Sequence, residues 1–254
     1  MMNRFITSAC ALAVCLNISS NSVAADSNGN IIVNNSGGMT IAVDSKVNTG
    51  IDLGEGGDKN VIKGNGNIKT ETRKLEEFKA IKISGAFDVV AIKGDSPSIK
   101  ITCDSNLIPH ILSKVLKEEL SIMPDRPISC KNKVKIELCV SGGASRVDLS
   151  GACALMFKDI ATGGFTLNLD GVSSATISGK ADVFESNIAG ACSLKADELK
   201  AKVTSVSISG TGKADVFASE KLTANISGIG VVNYYGNPKD VVKDVSLLGQ
   251  LNKK

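Results

Sequence analysis

The chain has no tryptophan, two tyrosines and one histidine, and aromatic residues make up only 4% of it. Catalysis by a serine–histidine–aspartate arrangement would rest entirely on His110, which stands among apolar residues and reads as an ordinary structural histidine. No C-x-x-C spacing occurs, so neither a zinc site nor a thioredoxin-like pair is indicated. A G-x-S-x-G turn and a phosphate-cradling glycine loop are also missing. Past residue 25 no apolar run reaches the ~20 residues that a membrane-spanning helix needs. Net charge is near balance, +3 over the whole chain, which points to neither nucleic acid nor an acidic polymer as partner. Glycine, serine, alanine, valine and isoleucine are abundant instead, and that mixture favours strands and tight turns over helix bundles.

Residues 1–25 read as a signal peptide. Arg4 is the only charge before Asp26, Phe5 to Ile18 is mostly apolar, and Ser22-Val23-Ala24-Ala25 offers small residues for cleavage. The expectation is an exported protein of the periplasm, the outer-membrane surface or the extracellular space. Leu12-Ala13-Val14-Cys15 is a degenerate lipoprotein box, which leaves lipid attachment at Cys15 open. Beyond it stand Cys103, Cys130, Cys139, Cys153 and Cys192, an odd number that excludes complete intramolecular pairing. Cys103 with Cys130 is the first pair to test.

Residues 26–70 form a leader rich in glycine and asparagine, with strand-like pieces at Ile31 to Val33 and Met39 to Val43. Asp52 to Asp58 lacks the spacing of a calcium loop and reads as a glycine-rich turn. The main domain is placed at 71–251. From Phe78 onward Ile81, Ile83, Val89, Ala91, Ile99 and Ile101 alternate with polar or small residues, as strands require. One short helix is expected over 106–117, where Leu107, Ile108, Ile111, Leu112, Val115 and Leu116 recur at helical spacing, with Ser105 as cap and Pro109 in the first turn. Strands resume at Leu120 to Met123 and Val134 to Val140.

The strongest signal is internal repetition. Gly151, Gly171, Gly190, Gly210 and Gly228 are separated by 20, 19, 20 and 18 residues. Two positions before each glycine stand Leu149, Leu169, Ile188, Ile208 and Ile226; four before stand Val147, Leu167, Ser186, Val206 and Ala224. Four and six positions after each glycine are again apolar, from Leu155 and Phe157 to Val232 and Tyr234, so that Ser186 is the one polar residue in the pattern. Three before each glycine lie Asp148, Asn168, Asn187, Ser207 and Asn225, all polar. This period of two marks strands with one face in a core and the other in water. Two after each glycine come Cys153, Ser173, Cys192, Gly212 and Gly230, small residues that suit a tight bend over a narrow core. A second near-copy, Gly-Lys-Ala-Asp-Val-Phe at 179–184 and 212–217, does not share the main register.

A repeat of roughly 19 residues is long enough for one closed coil, and coils stacked about 4.8 Å apart hydrogen-bond to one another while their apolar side chains form ladders. The fold expected is therefore an all-β, parallel β-helix or solenoid, with an antiparallel β-meander as the alternative. In the solenoid Cys153 and Cys192 lie two coils apart, about 10 Å, too far for the ~7 Å limit of a disulfide.

With these residues in view, the chain resembles the bacterial auto-transporter adhesin head GIN domain family. The resemblance runs over roughly Val61 to Leu251. It rests on Gly64-Asn65-Gly66-Asn67-Ile68, on Phe78 to Val89 with its Ser84-Gly85, on the recurring Ser-Gly-small pattern through Ser227-Gly228, and on Tyr235-Gly236-Asn237-Pro238. It implies a right-handed parallel β-helix on an exported or envelope-associated protein, and it carries no catalytic residues, cofactor or metal to transfer.

Function follows as an expectation of class. An envelope or cell-surface interaction module, adhesive in type and facing a glycan or an envelope protein, asks only for regular polar rows, with Asp148, Asn168, Asn187, Ser207 and Asn225 as the outward binding row. A glycan-active enzyme on the same scaffold would need a carboxylate pair within about 10 Å, drawn from Asp148, Asp170, Asp182 and Asp215. A purely structural envelope protein would associate through its exposed coil ends. The ladder itself is testable: Ile208→Ala should cost ~2–5 kcal/mol in urea unfolding, the range for a buried isoleucine, and a loss below 1 kcal/mol would remove Ile208 from the core.

Overall fold

The structure is a computed structural model that describes residues 21–25, 31–35, 40–43, 61–130, 132–246 and 248–254. Cys15 and the Asp52 to Asp58 turn lie outside the described residues. The chain divides into two compact units, Met1–Lys59 and Asn60–Lys254. In the first, β1 (Asn21–Ala25), β2 (Ile31–Asn35) and β3 (Thr40–Val43) form an antiparallel sheet in that order.

The second unit is a parallel β-solenoid preceded by an antiparallel cap. Its strands are β4 (Ile62–Lys63), β5 (Ile68–Lys74), β6 (Ala80–Gly85), β7 (Phe87–Lys93), β8 (Ser98–Asp104), β9 (Ile111–Leu116), β10 (Glu119–Pro124), β11 (Ile128–Ser129) and β12 (Val134–Val140). They continue with β13 (Arg146–Gly151), β14 (Ala154–Leu169), β15 (Ser174–Ile188), β16 (Ala191–Ile208), β17 (Thr211–Phe217), β18 (Lys221–Ile226), β19 (Ile229–Tyr235), β20 (Asp240–Val245) and β21 (Gln250–Lys253). One face stacks β10, β6, β13, the second halves of β14, β15 and β16, then β18 and β20, all in parallel. The other face stacks β12, β7, the first halves of β14, β15 and β16, then β17, β19 and β21. A third side is built by the middles of the long strands, where Phe165 pairs with Phe184 and Phe184 with Thr204.

The registers follow the repeat residue by residue. Leu149 pairs with Leu169, Leu169 with Ile188, Ile188 with Ile208 and Ile208 with Ile226. Equivalent side chains thus fall above one another and are buried together, Val147, Leu167, Val206 and Ile208 at 0% exposure. Phe165 and Phe184 stack with ring centroids 6.1 Å apart, and Phe157 meets Phe165 edge-on. Ser186 takes its inward place at 0% exposure with its hydroxyl unpaired, so one rung of that ladder is polar at a cost. The antiparallel meander is ruled out for the repeat; among the described residues of this unit antiparallel pairing is confined to β5–β8, β8–β12 and β9–β10.

The helix expected over 106–117 is not formed. Ile108 to His110 make one turn of 3-10 helix, whose N-cap is Leu107 rather than Ser105, and Ile111–Leu116 is strand β9. The chain reverses at Lys117 and Glu118, both with left-handed φ (49° and 62°), and β9 pairs along β10 from Ile111–Pro124 to Leu116–Glu119. As strand β9 the segment pairs its backbone with β10 and buries Ile111, while Leu116 is left exposed at the turn. Arg73 on β5 secures this cap: its guanidinium donates to the carbonyls of Ile108 and Ile111 and to the Ser113 hydroxyl.

Rung order in space departs from chain order at one point. The β6–β7 rung lies between the β10–β12 rung and the β13–β14 rung, so the chain lays down one coil, builds the cap beneath it and then steps over it. At the corner between the two faces, Gly85, Gly151, Gly171, Gly190, Gly210 and Gly228 form a column. The carbonyls of Gly85, Gly151, Gly171 and Gly190 accept hydrogen bonds at 2.8 Å from the N–H groups of Ala152, Val172, Ala191 and Thr211 in the next rung. Any Cβ at Gly190 would fall on the Gly171 backbone, and its φ of 90° is left-handed. Gly190→Ala should therefore lose ~2–4 kcal/mol by chemical denaturation, strain and overpacking combined; an unchanged midpoint would show the corner to be loose.

Candidate functional site

The outward row expected from the repeat is assembled on the β13–β20 face. Asp148 pairs with Asn168, Asn168 with Asn187, Asn187 with Ser207 and Ser207 with Asn225, one per rung at about 4.8 Å. The Asn168 amide donates to Asp148 Oδ1 at 2.5 Å and the Asn187 amide to Asn168 Oδ1 at 2.9 Å. Arg146 closes the series with an ion pair to Asp148 at 3.0 Å. Asn187 and Asn225 are exposed and the others half-buried. A second ladder, not anticipated from the repeat, stands on the opposite face: Asn252 donates to Asn233, Asn233 donates to Asp215, and Lys213 pairs with Asp215 at 3.0 Å. In each ladder a carboxylate is the terminal acceptor, and one cation beside it balances the charge.

The aspartates that a glycan-active enzyme would need do not converge. Asp148 and Asp215 belong to opposite faces, Asp182 lies on the third side in an ion pair with Lys202 at 2.8 Å, and Asp170 accepts from the Gly171 N–H at the corner. His110 Nδ1 lies 3.1 Å from Asp125 Oδ1 in the cap, a half-buried pair that holds the turn before β9 to the end of β10. No helix among the described residues is long and apolar enough to cross a membrane.

On the third side the small residues Ala161, Thr162, Ala181, Ala201 and Ser219 lie along a groove of about 300 Å³, flanked by Lys180, Lys200, Asp182 and Lys202 and closed by Phe217. Lys180 and Lys200 are paired in register, and Lys200 Nζ sits 4.1 Å from the Phe217 ring centroid. Its ammonium also donates to the Asp197 carbonyl at 2.9 Å. The hydrogen bond and charge of Asp182 push the Lys202 ammonium's pKa up. These residues escaped the sequence reading, which paired the 179–184 hexapeptide with 212–217; the informative copy is Lys180-Ala181-Asp182 against Lys200-Ala201-Lys202, one rung apart.

Residues 77–238 match the family described as "Putative auto-transporter adhesin, head GIN domain". The chain belongs to that family. Its solenoid resembles the crystal structure of a "putative adhesin" from Bacteroides fragilis, with a TM-score of 0.59 at 17% identity over 76% of this chain and all of that one. At that identity the likeness speaks of the fold alone. Structures of a "putative adhesin" from Parabacteroides merdae and a "putative lipid binding protein" from Parabacteroides distasonis also match, each with a TM-score of 0.46, at 21% and 20% identity. They cover 77% and 76% of this chain and 99% of their own lengths. Among curated proteins none matches the sequence.

The head GIN domain buries three of its five thiols and leaves Cys130 and Cys139 partly exposed. Cys103, Cys130, Cys139, Cys153 and Cys192 are all free, and Cys103, Cys153 and Cys192 are buried. Cys153 and Cys192 act as small corner residues, each donating weakly to the carbonyl three residues back, Ser150 and Ala189, as Ser173 does to Asp170. Burial pushes the Cys153 and Cys192 thiols up. Cys103 is pushed up to about 11, first by burial and then by the Asp104 carboxylate and Cys130. Its neutral thiol therefore supports the fold fully below pH 9, the unfolded value, and that support fades as pH climbs toward 11. Urea titrations at pH 7.5 and 10.5 should show the parent chain losing ~1–3 kcal/mol more than Cys103→Ala does over this range. Parallel losses would mean that Cys103 does not carry the effect.

Proposed function

We propose that this head GIN domain chain is an exported interaction module of the cell envelope or surface, adhesive in type, that works by binding rather than by turnover. One observation carries the reading: five rungs in succession present a hydrogen-bonding side chain at the same place, Asp148, Asn168, Asn187, Ser207 and Asn225, on a rigid sheet. The ladder bonds hold Asp148, Asn168 and Asn187 in fixed rotamers, so a ligand that spans these rungs meets donors and acceptors already ordered and loses little entropy at the protein's side. Such a repeating polar face suits a repeating ligand, a glycan or an extended envelope protein. The separation of the aspartates onto different sides argues for binding over glycan cleavage. Family membership and the signal-like N-terminus support an envelope location.

The test is binding of the purified chain to an array of glycans and envelope fractions, with hydrolysis and lyase products sought in the same samples. Saturable binding without turnover is expected. Asn187→Arg, which puts a bulky cation on an exposed rung without touching the core, should weaken binding to the array at least about tenfold and leave the melting midpoint in place. Product formation from any bound glycan would overturn the reading.

A further inference from the structure

We infer that the groove on the third side binds an acidic polysaccharide, a uronic-acid-bearing glycan whose carboxylates seat between Lys180, Lys200 and Lys202. The inference rests on the interaction-module reading and names a ligand class and a second site for it. The near-neutral charge of the whole chain points to no acidic partner, but the groove gathers its charge locally: three lysines flank it against one aspartate.

Three features select the ligand. First, Lys180 and Lys200 occupy the same register position in adjacent rungs, on backbones about 4.8 Å apart, where like charges repel. Lys200 is partly accommodated by the Phe217 ring and the Asp197 carbonyl, and Lys202 by Asp182, but Lys180 has no ion pair among the described residues. An anion seated between the two lysines relieves that repulsion. Second, the groove runs along the stack, across the rungs of β14, β15 and β16, over a floor of small side chains with Ala181 and Ala201 buried. A channel of that shape takes a linear chain rather than a compact molecule. Third, Asp182 stands among the lysines, and the Thr162 and Ser219 hydroxyls lie beside the floor. A carboxylate and hydroxyls suit sugar hydroxyls, which every uronic-acid unit carries beside its charge, whereas polyphosphate has no hydroxyl to offer Asp182 and meets only its repulsion.

The probe is a purified oligogalacturonate, compared with its carboxyl-reduced neutral counterpart and with polyphosphate, by isothermal titration against the full chain. Binding of the oligogalacturonate, weakened by salt, with little or no binding of the neutral form, is expected. The double variant Lys180→Glu/Lys200→Glu should lose at least about tenfold in affinity, while Lys69→Glu, an exposed lysine on β5 outside both the row and the groove, keeps it. Asp182→Asn should admit polyphosphate more readily than the parent does. Oligogalacturonate affinity that survives the double variant, or that falls equally in Lys69→Glu, overturns the groove assignment. So does tighter binding of polyphosphate by the parent, which would mark an unselective cationic patch. Binding on the array without any oligogalacturonate binding also overturns it, while leaving the module reading intact. Circular dichroism of each variant separates loss of binding from loss of fold.

Discussion

Backbone contact at a single corner governs the rest of this solenoid. Where each rung turns from one face to the other, the glycine column brings main chain directly onto main chain, and the next rung donates an N–H to the carbonyl below. A side chain in that column would push neighbouring rungs apart beyond the distance at which strands hydrogen-bond. With the corner closed, registers on both faces are set at once, because the residues on either side have no freedom to slip by one. The small inward residues that follow, Cys153, Ser173 and Cys192, return a hydrogen bond to the same bend and fill the space that a larger residue would overpack.

Much of this was legible because it is periodic. The glycine spacing and the flanking leucines and isoleucines state the register that the structure shows, down to the rung of 18 residues between Ile208 and Ile226. Ser186 was visible as the exception, and it is a buried hydroxyl without a partner. The segment from Leu107 to Leu116 misled because apolar residues at helical spacing say nothing about a waiting strand edge, and β10 lies later in the chain. Gly85 was seen in a strand but not as a member of the column, since its partner Gly151 is 66 residues away and the cap intervenes. The groove was hidden for a different reason. Its lysines lie on the third side, where the period of two is interrupted by a bulge between Phe157 and Ile160 and another between Thr176 and Ser178, so the corner-based alignment did not extend to them.

The polar surface obeys the same stacking logic as the core. Amide ladders end on Asp148 and Asp215, and a cation two residues earlier, Arg146 or Lys213, balances each. These exposed ion pairs add little to stability; their effect is to hold the acceptor that orders the amides above it. The third side is built differently, with like charges in neighbouring rungs and no ladder to absorb them. Amide ladders on two sides and a cluster of lysines on the third give one stack two surfaces of contrasting chemistry.

The two ends of the solenoid are built differently. Below, β9, β8 and β5 cross antiparallel over the first rungs, and Arg73 ties them down. Above, β20 and β21 each pair on one side only among the described residues, and β20 carries Asp240, Lys243 and Asp244 around the exposed Val241 and Val242. Charges on such an edge discourage it from pairing with another sheet. A shaft built this way has a fixed foot and an adjustable length: a whole rung can be added or lost at the charged end without disturbing the cap, the corner or any register beneath it. Reach, the distance from foot to tip, is thus a property that such a chain can change in steps of one rung while its binding surfaces keep their pattern.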